Sequence, residues 1–175
     1  MSTTSETLLR VRYAETDQMA VVYHSNYLIW FEVGRVELLR KLGFTYVEME
    51  QDGLNLPVVE AKCRYKHPAR YDDEILVRCH LAQMRPSLLR FHYEIIRNAD
   101  GRLLSEGETV HVVVGADMKR THLTGKYLNA LHAAAEAVTT DAAHAAHAAT
   151  KKSSRHHAHA HGCSTPEAAT TQEGK

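Results

Sequence analysis

The stretch NYLIWFEVGRVELLRKLG, Asn26 to Gly43, decides the fold. At helical spacing Tyr27, Trp30, Phe31, Gly34, Leu38 and Leu42 share one face, while Leu28, Ile29, Val33, Val36 and Leu39 occupy much of the opposite face. A helix apolar on most sides needs cover on most sides, so the pattern predicts a buried helix over Asn26–Leu42. Ser25 or Asn26 is its candidate N-cap, and Gly43 supplies the stop.

Outward from this helix the pattern changes to that of strands. Leu8 to Tyr13 alternates weakly and reads as a first strand, and Thr45 to Gln51 as a short helical piece ended by Asp52-Gly53. In Leu56–His67, residues Val59, Ala61, Cys63 and Tyr65 alternate with charged neighbours. Glu74–Met84 places Ile75, Val77, Cys79 and Leu81 on one side, and Ser87–Arg97 does the same with Leu89, Phe91, Tyr93 and Ile95. Leu103–Gly115 is a fourth run, and Thr124–Leu131 a short closing helix. Turns at Arg85-Pro86-Ser87 and Asn98–Gly101 suit antiparallel hairpins. The expected architecture is α+β, one antiparallel sheet curled around one long helix, with an outer face and edges that favour self-association.

Composition sets the remaining bounds. A chain of 175 residues suggests one domain with an appendage, and from His132 to Lys175 there is no Leu, Ile, Phe, Tyr or Trp. Residues 1–131 are therefore expected to form the domain, and the Ala/His-rich residues 132–175 a disordered or partly helical tail. Ala133–Ala149 has high helix propensity but no apolar stripe. In the tail His144, His147, His156, His157, His159 and His161 lack the fixed geometry of a metal site, so no metal is assigned. Cys63, Cys79 and Cys163 form no CxxC pair and read as reduced thiols. Twenty-one Lys plus Arg balance 21 Asp plus Glu, which offers no lure for nucleic acid. No stretch resembles a signal peptide or a membrane span, and the expected location is cytoplasmic.

The reactive residue types concentrate between the first strand and the helix, in RYAETDQMAVVYHSNY, Arg12 to Tyr27. A helix N-terminus presents unpaired N–H groups and partial positive charge, suited to polarising a carbonyl. A carboxylate beside it can act as general base or nucleophile, and Asp17 is the candidate. A loop Asp taken alone is more often a turn residue. His24 is the second candidate, able to orient water or donate to a carbonyl, or else to pack or cap. Tyr13, Tyr23 and Tyr27 read as core or interface residues, Glu15 as solvated or ion-paired, and Ser25 as a cap.

From Arg12 to Glu32 the pattern Arg-Tyr-x-Glu-Thr-Asp-x-x-x-Val-Val-Tyr-His-Ser-Asn-Tyr-Leu-x-Trp-Phe-Glu closely resembles the YbgC/4-hydroxybenzoyl-CoA thioesterase family. The likeness extends to about Leu131 and leaves the tail uncovered. It implies a hotdog fold, assembled as a homodimer or homotetramer, and hydrolysis of acyl-CoA to free acid and CoA. No cofactor is implied, since CoA is part of the substrate. It further implies Asp17 as the catalytic carboxylate, a backbone N–H near His24 as the carbonyl-polarising group, and the His24 side chain as a positioner of substrate or water. Tyr23, Ser25 and Tyr27 are the candidate substrate contacts, although Tyr27 matches a family position that looks structural. Position 20 departs from the family: Ala stands where similar sequences carry Gly, with consequences expected for the loop and the acyl pocket.

A CoA ester also needs cations at the pocket mouth. Lys62, Arg64, Lys66, Arg85 and Arg90 are available, with Lys62, Arg85 and Arg90 the favoured candidates. No P-loop, GxGxxG, GxSxG or HExxH element offers another route. The competing readings are a hotdog hydratase or dehydratase, and a non-catalytic module for acyl-CoA or acyl carrier protein. A metal-handling role for the His-rich tail is weaker still. Intact Asp17 and His24 favour the hydrolase, because binding alone needs neither.

Overall fold

The chain begins with strand β1 (Thr4–Arg10), one 3-10 turn (Tyr13–Glu15), the long helix α1 (Asn26–Lys41) and the short helix α2 (Tyr46–Gln51). Strands β2 (Leu54–Asn55), β3 (Val58–Tyr65), β4 (Glu74–Arg85), β5 (Leu88–Arg97), β6 (Arg102–Val112) and β7 (Val114–Gly115) follow. Residues 125–135 are helical. This computed structural model describes residues 3–135, all within one unit; Cys163 and the six tail histidines lie outside them. Five antiparallel strands in the order β1-β4-β5-β6-β3 wrap α1, which is the hotdog arrangement, and β2 pairs with β7 alongside.

The inward faces of β4 and β5 are those the alternation predicts: Ile75, Val77, Cys79, Leu81, Leu89, Phe91, Tyr93 and Ile95 are all at most 1% exposed. Register shifts at Val58/Glu60, Leu81/Gln83 and Ile95/Ile96 mark bulges, which bend strands and strengthen twist. Two glycines let helix and sheet meet closely. A Cβ on Gly34 would lie 2.7 Å from Val77 Cγ1, and one on Gly107 would collide with the Lys62 carbonyl and the Phe31 ring. Phe31 therefore rests on the bare backbone of β6, stacked at 4.4 Å on Tyr93.

Four expectations need correction. The first strand is Thr4–Arg10, not Leu8–Tyr13, because its inward residue is polar: the Ser5 hydroxyl donates to the Gly34 carbonyl at 3.0 Å, whereas Leu8 is 56% exposed. The second face of α1 is not covered throughout. Leu28 and Ile29 are 39% and 50% exposed, because they lie toward the sheet edge formed by β3. Ser25 occupies the N-cap position with helical backbone angles and makes no capping bond. The domain also continues past Leu131, since 132–135 stay helical and Ala134 is buried.

The segment ahead of α1 is a small hairpin. Ala20 N–H donates to Asp17 O and Asp17 N–H to Val21 O, with Thr16 bridged to Val22. This is a three-residue connection whose last residue, Ala20, takes φ 57°, the left-handed region where a Cβ is unfavourable. Glu15 fastens the hairpin. Its carboxylate accepts from Arg12 N at 2.7 Å, the Arg12 guanidinium at 3.0 Å and Trp30 Nε1 at 3.2 Å. Its carbonyl accepts from Tyr23 N and Asn26 Nδ2, both at 2.9 Å. Burial pushes the Glu15 carboxyl up, but the bonds from Arg12 and Trp30 outweigh it and hold it below its usual value.

Three outcomes follow for chemical denaturation. Ala20→Gly should raise stability by about 1 kcal/mol, because strain is relieved. Gly107→Ala should cost about 3 kcal/mol, since both clashing groups are fixed. Glu15→Gln should cost about 2 kcal/mol at neutral pH. A lowered carboxyl stabilises the fold above its unfolded value and loses that contribution as pH falls through the folded value. The gap between wild type and Glu15→Gln should therefore narrow as pH falls below the ordinary range of a glutamate carboxyl; a gap independent of pH would contradict this role for Glu15.

Candidate active site

The hairpin, the start of α1 and the segment after β3 enclose a cleft of 350 Å³ lined by Asp17, Val22, His24, Tyr27, Tyr65 and Lys66 among others. The approach is nonlocal: Val22 N–H donates to Ala69 O at 2.9 Å, and the Tyr65 hydroxyl to His24 O at 3.0 Å. Asp17 is half-buried, and its Oδ1 accepts from Met19 N at 2.8 Å, which fixes the carboxylate in an Asx turn while Oδ2 has no donor among the described residues. The His24 ring is exposed, 4.3 Å from the Tyr23 ring and edge-on to Tyr65 at 6.5 Å.

At the tip of α1 the backbone donors divide into two sets. Asn26, Tyr27 and Leu28 N–H groups reach the Tyr23, His24 and Ser25 carbonyls. The N–H groups of His24 and Ser25 meet no acceptor among the described residues. Unmatched donors at a helix N-terminus can receive a carbonyl oxygen as it gains negative charge.

Of the other candidate contacts, Tyr23 is 49% exposed at the rim and Ser25 is exposed beside it. Tyr27 is buried and accepts from Ala69 N at 3.0 Å, a bond that ties the cleft wall together. Burial, followed by its contacts with Cys63, pushes the Tyr65 hydroxyl up to about 12, so it is a proton donor at neutral pH.

The basic residues separate by face. Lys62 and Arg90 lie on the outer face of the sheet, paired with Glu60 at 2.5 Å and Glu108 at 2.8 Å. Arg85 ends β4 and is exposed. Within this chain none of these three lines the cleft. Lys66 does, with its ammonium 2.8 Å from Glu106. Cys63 and Cys79 are free thiols, and burial raises both. No group of three or more His, Cys, Asp or Glu that could hold a metal occurs among the described residues. No helix among them is long and apolar enough to cross a membrane.

Sequence reasoning missed a second cluster, further along α1 and β3. Arg35 is only 7% exposed, and Tyr93, Thr109 and His111 are hydrogen-bonded in series beside it. The signal for Arg35 was its position on the buried helix face, between Phe31 and Leu38. A larger depression of 680 Å³ lies between β1 and the last turns of α1, where Arg40 pairs with Glu37 and Lys41 donates to Thr4 O. Glu6 is paired with Arg78 on the neighbouring strand, and the Ser5 hydroxyl is taken up by the Gly34 carbonyl.

A family model described as "Thioesterase-like superfamily" matches residues 11–147. YneP of Bacillus subtilis is 41% identical over 106 residues, covering 61% of this chain and 76% of its own. The acyl-CoA thioester hydrolase YbgC of Escherichia coli is 34% identical over 106 residues, covering 61% and 78%. Among solved structures, the DHNA-CoA thioesterase of Staphylococcus aureus superposes with TM-score 0.71 at 34% identity, covering 78% of this chain and 91% of that one. With its sheet, enclosed helix and Asp17 hairpin, the chain belongs to the thioesterase-like superfamily.

Proposed function

We propose that this protein hydrolyses acyl-CoA thioesters to a free acid and CoA in the cleft at the tip of α1. The observation that carries the reading is that a half-buried carboxylate and His24, whose backbone N–H is unmatched among the described residues, line one cavity. The thioester carbonyl oxygen sits against the His24 N–H, where the helix dipole favours growing negative charge. Asp17 acts through Oδ2 as general base on water or as nucleophile on the carbonyl carbon. In either route the C–S bond breaks, CoA leaves as thiolate and takes a proton, and water supplies the oxygen of the acid. The His24 ring, lying against Tyr23, positions water or the acyl group.

Lys66 is the cation for a CoA phosphate, exchanging Glu106 for the ligand. The activity named for the YbgC relative supports the substrate class. The exposed edge of β3, where Val59 is 59% exposed, supports association of the chain with itself as a homodimer or homotetramer. Acyl carrier protein thioesters would fit the same chemistry, and the setting proposed is the cytoplasm.

Steady-state assays with a thiol reagent test this directly. Asp17→Asn should lower kcat by about 10²- to 10⁴-fold with little change in KM. Lys66→Ala should raise KM for CoA esters several-fold and leave kcat nearly intact. Near-normal turnover by Asp17→Asn would overturn the assignment of the carboxylate.

A further inference from the structure

We propose that the pocket between α1 and strands β3, β5 and β6 receives the acyl part of the substrate, and that Arg35 selects acyl groups ending in a carboxylate. This rests on the thioesterase reading and adds the substrate class to it. The pocket has a volume of 260 Å³, with Leu28 and Ile29 at its mouth and Arg35, Tyr93, Thr109 and His111 at its floor. The mouth residues are 39% and 50% exposed and the floor residues 7% or less. An apolar entrance therefore leads to a polar interior, the reverse of what simple burial would give.

The neutral groups of the floor satisfy one another in one direction. A carbonyl can only accept, so His111 Nδ1 carries the proton that it donates to Leu56 O at 2.9 Å. Nε2 then accepts from the Thr109 hydroxyl at 2.8 Å, and Thr109 accepts from the Tyr93 hydroxyl at 2.7 Å. Burial first, with Arg35 adding to it, lowers His111 to about 4, so this series carries no charge at neutral pH.

Arg35 has no such complement. Its Nη1 is buried without a hydrogen-bond partner, and the guanidinium makes no ion pair among the described residues. The Tyr46 ring covers it at 5.3 Å. A guanidinium held out of water and unpaired is unfavourable until an anion reaches it, and its planar fork matches a carboxylate. Among the described residues, Glu32 is the one other charged residue lining the pocket. It is exposed, so water screens its repulsion far more than the interior screens the attraction of Arg35.

The dimensions limit the acyl chain. A cavity of roughly 150 Å³ holds one benzene ring, so this pocket takes a short or medium acyl group and no long fatty chain. Arg35 lies eleven positions after His24, about 16 Å along a helix axis, and helical side chains lean back toward the N-terminus. The remaining gap of about 10 Å suits an acyl group of roughly six carbons. The pocket and the cleft draw on the same two elements: Tyr27 of the cleft and Leu28 of the pocket are consecutive on α1, and Tyr65 and Ala61 both belong to β3.

Adipyl-CoA and hexanoyl-CoA have equal chain length and differ in the terminal carboxylate, so their kcat/KM ratio is the readout. Wild type should favour adipyl-CoA at least tenfold, and Arg35→Met should reduce that ratio to near or below one. Free adipate, and not hexanoate, should bind wild-type protein in calorimetry. A wild-type ratio at or below one overturns the proposal, as does a ratio unchanged in Arg35→Met, which would mark a structural role for Arg35. If Arg35→Met does not fold, Arg35→Lys should lower the ratio several-fold, because an ammonium lacks the fork, and an unchanged ratio counts against the proposal. Should wild type cleave neither ester, the thioesterase reading fails, and adipate binding alone then decides: binding sustains the Arg35 site and its absence overturns it.

Discussion

The cleft exists because one buried carboxylate joins three pieces of chain. Glu15 bonds the backbone and side chain of Arg12 and the indole of Trp30, while its carbonyl holds Tyr23 and Asn26. The start of the hairpin, its return strand and the first turns of α1 are thereby fixed to one residue. Trp30 is buried in the core, so the position of Asp17 is referred to the packing of α1 on the sheet. That packing is set in turn by Gly34 and Gly107, which bring backbone and ring into direct contact. A burial penalty on the charge is offset because five donors converge on one residue, three of them on the carboxylate.

Charge is distributed unequally over the two faces of the sheet. The outer face carries ladders such as Glu6–Arg78–Glu94 and Arg90–Glu108, whose partners are adjacent and mutually neutralised. The inner side holds few charges, and those it holds are specific: Glu15 is fully bonded, whereas Arg35 is not. Surface pairs of the first kind contribute little to stability, typically below about 1 kcal/mol each. The inward ones decide what the interior can accept. Lys66 stands at the boundary, half-exposed, with a carboxylate partner it can leave.

Much of this was legible in the chain itself. Strong periodicity identified α1 and the inward residues of β4 and β5, because each packs against elements of the same chain. Legibility failed where the local pattern did not carry the information. Ser5 faces the helix through a hydrogen bond and not through apolarity, so β1 was displaced. Leu28 and Ile29 are apolar without being covered within one chain. The reason for a glycine preference at position 20 became clear only with its left-handed backbone. Spacing along the sequence placed Asp17 and His24 together, since they stand only seven positions apart. It gave no access to Tyr65 and Lys66, which arrive from the end of β3, or to which face of the sheet Lys62 and Arg90 occupy. Those depend on strand register and on how the sheet curls.

The claim on which the rest depends is that the Asp17 carboxylate and the His24 N–H meet on one thioester carbonyl. A crystal structure with an acyl-CoA analogue in which a methylene replaces the thioester sulfur would test it most directly. The account predicts the analogue's carbonyl oxygen about 3 Å from His24 N, with the Asp17 carboxylate beside the carbonyl carbon. A carbonyl bound away from the tip of α1, or an Asp17 carboxylate turned to bulk solvent in that complex, would contradict it.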